Sequence, residues 1–300
     1  MITTIILTYN ESIHLQRCID SAKLVSDTII VIDSYSNDAT KNIALVNNAH
    51  FYERKFINQA DQFQWALDNC PITTDWILRL DADEYLTEEL VVETKHKMPS
   101  IPLDVNGIYL RRQVHFMGKW IRYGGYYPTT LLRLWRTGTA SIEQKWMDEH
   151  VILETGKTVE FDYDFIDDNL NNMHWWTAKH NNYSNREAIE YLNGKYHFFD
   201  ISSISMESKT QEAKKRKYKV TYYNRAPLFL RSFLYFLYRY IIKLGFLDGK
   251  RGLIWHFLQA FWYRFLVDAK IYQIERLSKE KGVTVKQIIE QDYGIQFNTK

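Results

Sequence analysis

Asp81, Asp83 and Glu84 form the carboxylate run of this chain whose spacing best suits chemistry, in Asp81-Ala82-Asp83-Glu84. They follow Trp76-Ile77-Leu78-Arg79-Leu80, an apolar run that predicts a strand buried inside a sheet. Carboxylates two apart at a strand's carboxyl end project into the crevice where open α/β sheets bind ligands. Hard divalent cations such as Mg²⁺ and Mn²⁺ prefer carboxylate oxygens and bridge phosphates. The run therefore reads either as a metal site that holds a diphosphate or as a solvated acidic loop before a helix that begins near Thr87. Its neighbours along the chain favour the metal site.

Those neighbours are strand ends. Thr3-Thr4-Ile5-Ile6-Leu7-Thr8 predicts a buried first strand that ends in Tyr9-Asn10-Glu11 and leads to a helix from about His14 to Ala22. Thr28-Ile29-Ile30-Val31-Ile32 predicts a second strand, with a polar tail Asp33-Ser34-Tyr35-Ser36-Asn37-Asp38-Ala39-Thr40 and a helix starting near Asp38. His50-Phe51-Tyr52 is a third, short strand before Arg54, and a helix carrying Gln62, Trp65, Ala66 and Asn69 leads to the strand before Asp81. This alternation predicts an α/β fold with a doubly wound, mostly parallel sheet. Three strands that end in acidic or amide groups favour one shared ligand over three separate helix caps. Beyond them, the stretch from Gly107 alternates as a strand and turns at Gly118, and Thr130 to Arg136 reads as another strand. Neither G-x-G-x-x-G nor G-x-x-x-x-G-K-[ST] occurs, so dinucleotide-binding and P-loop readings lose their main support.

Thr8-Tyr9-Asn10-Glu11, Asp33-Ser34-Tyr35-Ser36-Asn37-Asp38-Ala39-Thr40 and Asp81-Ala82-Asp83-Glu84, in this order and spacing, resemble family 2 glycosyltransferases of the GT-A fold over roughly the first half of the chain. Later segments resemble the bacterial subgroup that contains the lipopolysaccharide-core β-1,4-glucosyltransferases. The resemblance implies a nucleotide-diphosphate-sugar donor, a divalent metal and inversion at the anomeric carbon. Carried over residue by residue, it implies that Thr8, Asn10 and Glu11 line the nucleoside pocket. Asp33 would accept the N3–H of a uracil, since an ionised carboxylate only accepts. Arg54 would lie near the base or the pyrophosphate, Asp81 would face the ribose or a metal-bound water, and Asp83 would bind the metal. Inverting transfer needs a base for the acceptor hydroxyl. Family members usually carry a Glu-Asp-like pair for this, with the second member as base. Here the order is reversed, Asp148-Glu149, so position makes Glu149 the base and Asp148 its neighbour, with the choice between them open. His150 is either a metal ligand through a neutral imidazole or a surface histidine. Lys179 lies in a His-, Lys- and Tyr-rich segment that closes the site in similar enzymes; it either approaches a pyrophosphate or belongs to a solvated helix start.

The chain of 300 residues is long enough for one enzyme domain and an appendage. Its 38 Lys and Arg against 36 Asp and Glu give a net charge of +2, which argues for no nucleic-acid partner. Two cysteines, Cys18 and Cys70, and no signal-peptide pattern fit a reducing cytoplasm without a disulfide.

The last third differs in character. Lys214-Lys215-Arg216-Lys217 precedes the most apolar part of the chain, Pro227 to Leu244 and Leu253 to Asp268, joined by a turn from Gly245 to Gly252. Arg231, Arg239, Lys243 and Arg264 interrupt both segments, so neither suits a spanning helix. Trp and Tyr mixed with Lys and Arg is an interfacial composition. The expectation is a helical hairpin on an anionic membrane surface; the competing reading is a pair that covers the sheet or forms a homodimer. The expected organisation is a GT-A-like domain over 1–165, a site-closing helical segment over 166–226, and a membrane-facing hairpin with a C-terminal helix over 227–300. The expected function is inverting transfer of a hexose from a UDP-linked donor, with Mn²⁺ or Mg²⁺, to a bacterial surface glycan or glycolipid acceptor at the cytoplasmic face of the inner membrane. Two rivals are a nucleotidyltransferase, which would need a basic phosphate-grasping loop absent near the N-terminus, and a non-catalytic scaffold of a glycan assembly complex.

Overall fold

Strand β1 (Ile2–Thr8) is buried along its whole length, as a central parallel strand with both faces covered must be. Its side chains alternate between two cores. Ile2 and Ile6 join Leu15, Cys18 and Ile19 of helix α1 (Leu15–Ala22), while Ile5 and Leu7 join Phe63 and Ala66 of helix α3 (Gln59–Asn69). Strand β2 (Thr28–Asp33) divides in the same way, Ile29 and Val31 to one side and Ile30 and Ile32 to the other. Helix α2 (Thr40–Val46) and the short strand β3 (His50–Glu53) follow, and β4 (Trp76–Asp81) completes the parallel part.

The computed structural model describes residues 1–143, 149–198, 217 and 221–294, so Asp148 and the basic residues Lys214 to Arg216 lie outside the described residues. The described residues divide into two units: one up to Leu170 apart from 123–125, and one from Asn171 on together with 123–125.

The first unit is built on a nine-stranded sheet of order β3-β2-β1-β4-β8-β6-β11-β5, with β7 beside β6. The later strands are β5 (Glu84–Leu86), β6 (Val105–Phe116), β7 (Lys119–Trp120), β8 (Thr129–Arg136) and β11 (Lys157–Asp168); β9 (Ala140–Ile142) and β10 (Val151–Leu153) pair separately. The sheet is mixed, which corrects the expectation of a mostly parallel one. Pairs β3-β2, β2-β1, β1-β4 and β6-β11 are parallel, but β4-β8, β8-β6, β6-β7 and β11-β5 are antiparallel. The reason lies after helix α4 (Glu88–Lys97): among the described residues no α-helix follows until Met173, and without helical crossovers adjacent strands return by turns. The acidic run also differs from a loop before a helix. Asp81 ends β4, Glu84 opens β5, and only Ala82 and Asp83 form the turn between them. Thr87 then caps α4, its hydroxyl accepting from the Leu90 N–H at 3.2 Å.

The second unit is helical. Helix α5 (Met173–Tyr196) contributes Ala188, Ile189 and Leu192 to a core shared with Tyr263, Val267, Ile271 and Ile274 of α8 (Tyr263–Lys281) and with Ile288 and Ile289 of α9 (Val285–Tyr293). Helix α6 (Leu230–Leu237) continues through a π-helical turn to Ile242, and α7 (Gly249–His256) runs through a second one into α8. The expected hairpin is therefore two helices, 230–242 and 249–281. No helix among the described residues is long and apolar enough to cross a membrane. Cys18 and Cys70 are buried and free.

Candidate functional site

The site is built at the carboxyl ends of β2, β1 and β4. From β1 the chain steps one way to β2 and β3 and the other way to β4, which makes the gap between β1 and β4 the point where strand order reverses. Open α/β sheets bind ligands there. The register sets Thr8 opposite Asp33 and Leu7 opposite Asp81, so the polar strand ends share one edge.

The loops after β1 and β2 are laced together. The Asn10 N–H donates to Ser36 Oγ at 2.7 Å, and Asn10 Oδ1 accepts from the Asn37 N–H at 2.9 Å. The Glu11 and Ser12 N–H groups donate to Thr40 Oγ1 and Asp38 Oδ2. Asn10 and Tyr35 take left-handed backbone conformations, with φ of 55° and 61°; asparagine tolerates this region. Asp33 is 1% exposed and anchors its loop, accepting from Thr8 Oγ1 at 2.8 Å and from both the N–H and the hydroxyl of Ser36 at 2.6 Å. Glu11 meets buried His14 at 2.5 Å, and His14 Nε2 accepts from the Leu170 N–H. Thr8, Asn10, Glu11 and Asp33 are thus brought together. The Arg54 N–H donates to the Asp33 carbonyl at 2.8 Å, while its Nη2 donates to Asp61 Oδ2 at 2.7 Å and its guanidinium lies 5.2 Å from the Trp65 ring.

Beside them lies a buried network of acids and guanidinium groups. The β4-β8 register ends at Leu78 opposite Leu134, and the next residues of the two strands are Arg79 and Arg133. Arg79 Nη2 donates to Glu149 Oε1 at 2.7 Å, and its Nε lies 3.8 Å from Asp81 Oδ1. Arg133 Nη2 donates to Glu84 Oε1 at 2.5 Å and sits 3.5 Å from Asp81 Oδ2. Glu84 Oε2 in turn accepts the Asp81 N–H at 2.9 Å. Burial raises the Asp81 carboxyl pKa, but the charges of Arg133, Arg79 and Arg112 outweigh it and hold Asp81 below the usual range. Glu84 goes the other way, because its complete burial outweighs the pull of Arg133 and the nearby Asp81 charge adds to the rise.

Asp83 points to a different partner: Asn169 Nδ2 donates to its Oδ2 at 2.9 Å. Among the described residues no group of three or more His, Cys, Asp or Glu side chains is arranged to hold a metal ion. The donor set does fit a cation that takes its other ligands from a diphosphate, the usual way Mg²⁺ binds through one or two carboxylates. Asp81 Oδ1 supports this, since it is buried and makes no hydrogen bond among the described residues. The backbone carbonyl of His150 accepts from the Glu143 N–H at 2.9 Å. Lys179 belongs to the helical unit, where its ammonium lies 4.6 Å from the Trp175 ring. A cavity of 510 Å³ lined by Met1, Ile2, Asp75 and Trp76 lies at the amino ends of β1 and β4, away from all these groups.

Arg79 and Arg133 are the residues that motif reading missed. The signal was present, since an arginine inside an apolar strand run must find an anion when it is buried. Asn169 and the pair of Arg17 with Asp168 at 2.8 Å had no such signal, because both depend on where β11 ends.

A mixed α/β sheet with an acid-lined reversal point belongs to the class of open α/β folds that bind ligands at that point, and the comparisons with known proteins add to this. Residues 3–145 match the family described as Glycosyl transferase family 2. An uncharacterized glycosyltransferase of Rickettsia prowazekii is 37% identical over 95 residues, 32% of each chain. The SPbeta prophage-derived glycosyltransferase SunS of Bacillus subtilis is 34% identical over 90 residues, 29% of this chain and 21% of that one. The chain thus spans about a third or less of these relatives' own length. Among solved structures, S. aureus TarS in complex with UDP-GlcNAc aligns over 94% of this chain and 92% of that one, at 12% identity and a TM-score of 0.44.

Proposed function

We propose that the protein is an inverting glycosyltransferase that moves a hexose from a nucleotide-diphosphate donor, UDP-linked in the favoured reading, to a hydroxyl of a bacterial surface glycan or glycolipid of the lipopolysaccharide-core kind. The observation that carries the reading is the meeting of Asp81, Glu84 and Glu149 around Arg79 and Arg133 at the sheet's reversal point, inside or directly after the family-matched segment. The laced loops with Thr8, Asn10, Glu11 and Asp33 form a preorganised wall for the nucleoside. Asp83 and Oδ1 of Asp81, which makes no hydrogen bond among the described residues, would hold Mn²⁺ or Mg²⁺ against the diphosphate. When bound, such a cation neutralises charge on the departing diphosphate.

The proton is handled by the chain's own residues. Arg79 fixes Glu149 through Oε1, which leaves Oε2 to accept the proton of the acceptor hydroxyl as its oxygen attacks the anomeric carbon. Glu84 orients Asp81 through its backbone N–H. The test is a panel of nucleotide sugars with Mn²⁺ and the purified full-length protein, reading thermal stabilisation and nucleoside-diphosphate release. One donor should stabilise the protein and be slowly hydrolysed. No stabilisation and no release with any donor would overturn the reading.

A further inference from the structure

We infer that the helical unit docks on an anionic lipid surface through the face made by helices 230–242 and 249–281. This inference rests on that unit alone and stands apart from the glycosyl-transfer reading.

Exposed apolar side chains follow one stripe on each helix. On the first they are Leu230, Phe233, Leu234, Tyr238, Ile241 and Ile242, at the spacing of one helical face. On the second, Leu253, Ile254, Phe257 and Phe265 do the same, and in the connecting turn Leu244, Phe246 and Leu247 are exposed. Aromatic contacts join the stripes into one patch. Phe236 lies 6.3 Å from Phe257, Phe233 lies 6.3 Å from Phe261, and Phe229 lies 5.0 Å from Phe265. An apolar patch of this extent marks an interaction surface.

Charge identifies the partner. Between Pro227 and Tyr272 the acidic residues are Asp248 and Asp268, and both are buried, at 3% and 0% exposure. Each is used internally, Asp248 accepting the Tyr123 N–H and Asp268 pairing with Arg231. The exposed charges of the same stretch are Lys243, Lys250 and Arg251, all cationic and set beside the apolar turn. Both helices are too broken by charge to span a bilayer, so the fitting mode is insertion of the apolar face among headgroups, with the cations against anionic phosphates. A second copy of the same face would instead bring these cations together, which is unfavourable.

The test is flotation of the full-length protein on vesicles of phosphatidylcholine alone and of phosphatidylcholine with phosphatidylglycerol in equal parts. Wild type should float with the anionic vesicles and lose binding as salt rises. The triple variant Lys243→Glu, Lys250→Glu, Arg251→Glu should lower partition onto them by at least about five-fold per residue, on the order of 10²-fold in all. The double variant Ile242→Glu, Leu247→Glu should float with neither. All five positions are exposed, so an unchanged melting transition is expected and checks folding. If the double variant fails to fold, the triple variant decides. Wild type that floats with neither vesicle would overturn the inference, as would equal flotation on both with no effect of the charge reversal. A wild-type dimer that the double variant makes monomeric, without flotation, would assign the face to self-association instead.

Discussion

In the helical unit, buried Arg231 meets one carboxylate. Asp268 accepts from its Nε and Nη2 at 2.8 and 2.5 Å and takes the Phe229 N–H as well, while the Tyr191 and Tyr223 rings lie 4.7 and 5.0 Å from the guanidinium. In the sheet unit, Arg79 and Arg133 meet three carboxylates, Asp81, Glu84 and Glu149. Arg112, which also acts on Asp81, is matched by Asp167 at 3.4 Å. One region is charge-balanced and closed. The other carries more negative charge than its guanidiniums can match, and burial makes the surplus costly. A proton on one carboxylate or a bound cation relieves it. The same chemical pairing therefore serves as a lock in one unit and leaves a surplus of buried negative charge in the other.

The largest expected effect bears on the site. Glu149→Gln keeps the shape and the acceptor for Arg79 but cannot take a proton, so turnover should fall about 10²–10⁴-fold with donor affinity nearly unchanged. Steady-state kinetics with the donor found in the panel would check this. If Asp148→Asn gives that loss and Glu149→Gln does not, the order within the pair is the reverse of the one proposed.

On the lock, Asp268→Asn leaves Arg231 buried without its counter-charge. Denaturant melts should show a loss of about 3–5 kcal/mol, the usual cost of breaking a buried pair. Donor binding by the protein that remains folded should be unaffected. A loss well under 1 kcal/mol would mean that the pair is not a lock, since that is the range of exposed pairs.

Asp83→Asn should spare stability, because Asp83 is only half-buried and its partner Asn169 can rotate to meet an amide. Donor affinity measured with Mn²⁺ should weaken by no less than the about 10–100-fold that loss of a supporting metal-site partner costs. Affinity measured in chelator should be the same for variant and wild type. Equal Mn²⁺ response in both would end the metal assignment.

Smallest, and opposite in sign between the units, is the effect of pH on stability. His180 is held neutral by burial, its Nδ1 donating to the Trp176 carbonyl and its Nε2 accepting from Gln259, and its pKa is lowered to about 4. Burial lowers His256 to about 4 as well, with Arg239 adding to the shift. These depressed values contribute stability that is present above the ordinary 6.5 and is lost as pH falls toward about 4. Glu84 in the sheet unit has a raised value, so its contribution is present below the ordinary glutamate range and is lost as pH climbs above it. Melts of wild type and of His180→Gln should differ in slope on the acid side. Those of wild type and Glu84→Gln should differ on the alkaline side. Parallel pH curves for wild type and either variant would remove that residue's part.

The sequence alone determined the first half of the sheet. Long β-branched runs alternating with capped helices leave little choice but parallel strands covered on both faces, and β1, α1, β2, α2, β3, α3 and β4 all stand within a residue or two of their expected places. The clustering of Thr8, Asn10, Asp33 and Asp81 at one edge follows from the same pattern, because strand ends in a parallel sheet share a direction. It also determined that the segments after Pro227 are helical and interrupted by charge. Tertiary structure decided the rest. Strands β5, β9, β10 and β11 are short or polar, and their exposure pattern exists only because their partners do; Glu84 became a strand residue since Tyr85 and Leu86 pair with Ile166 and Phe165 some eighty residues away. The partners of the site's carboxylates were likewise undetermined. Arg79 and Glu149 are 70 positions apart, and Arg133 and Glu84 are 49 apart. Local sequence sets which residues are charged, but only the antiparallel register of β4 and β8 brings two buried guanidiniums to the end of the sheet where the acids are.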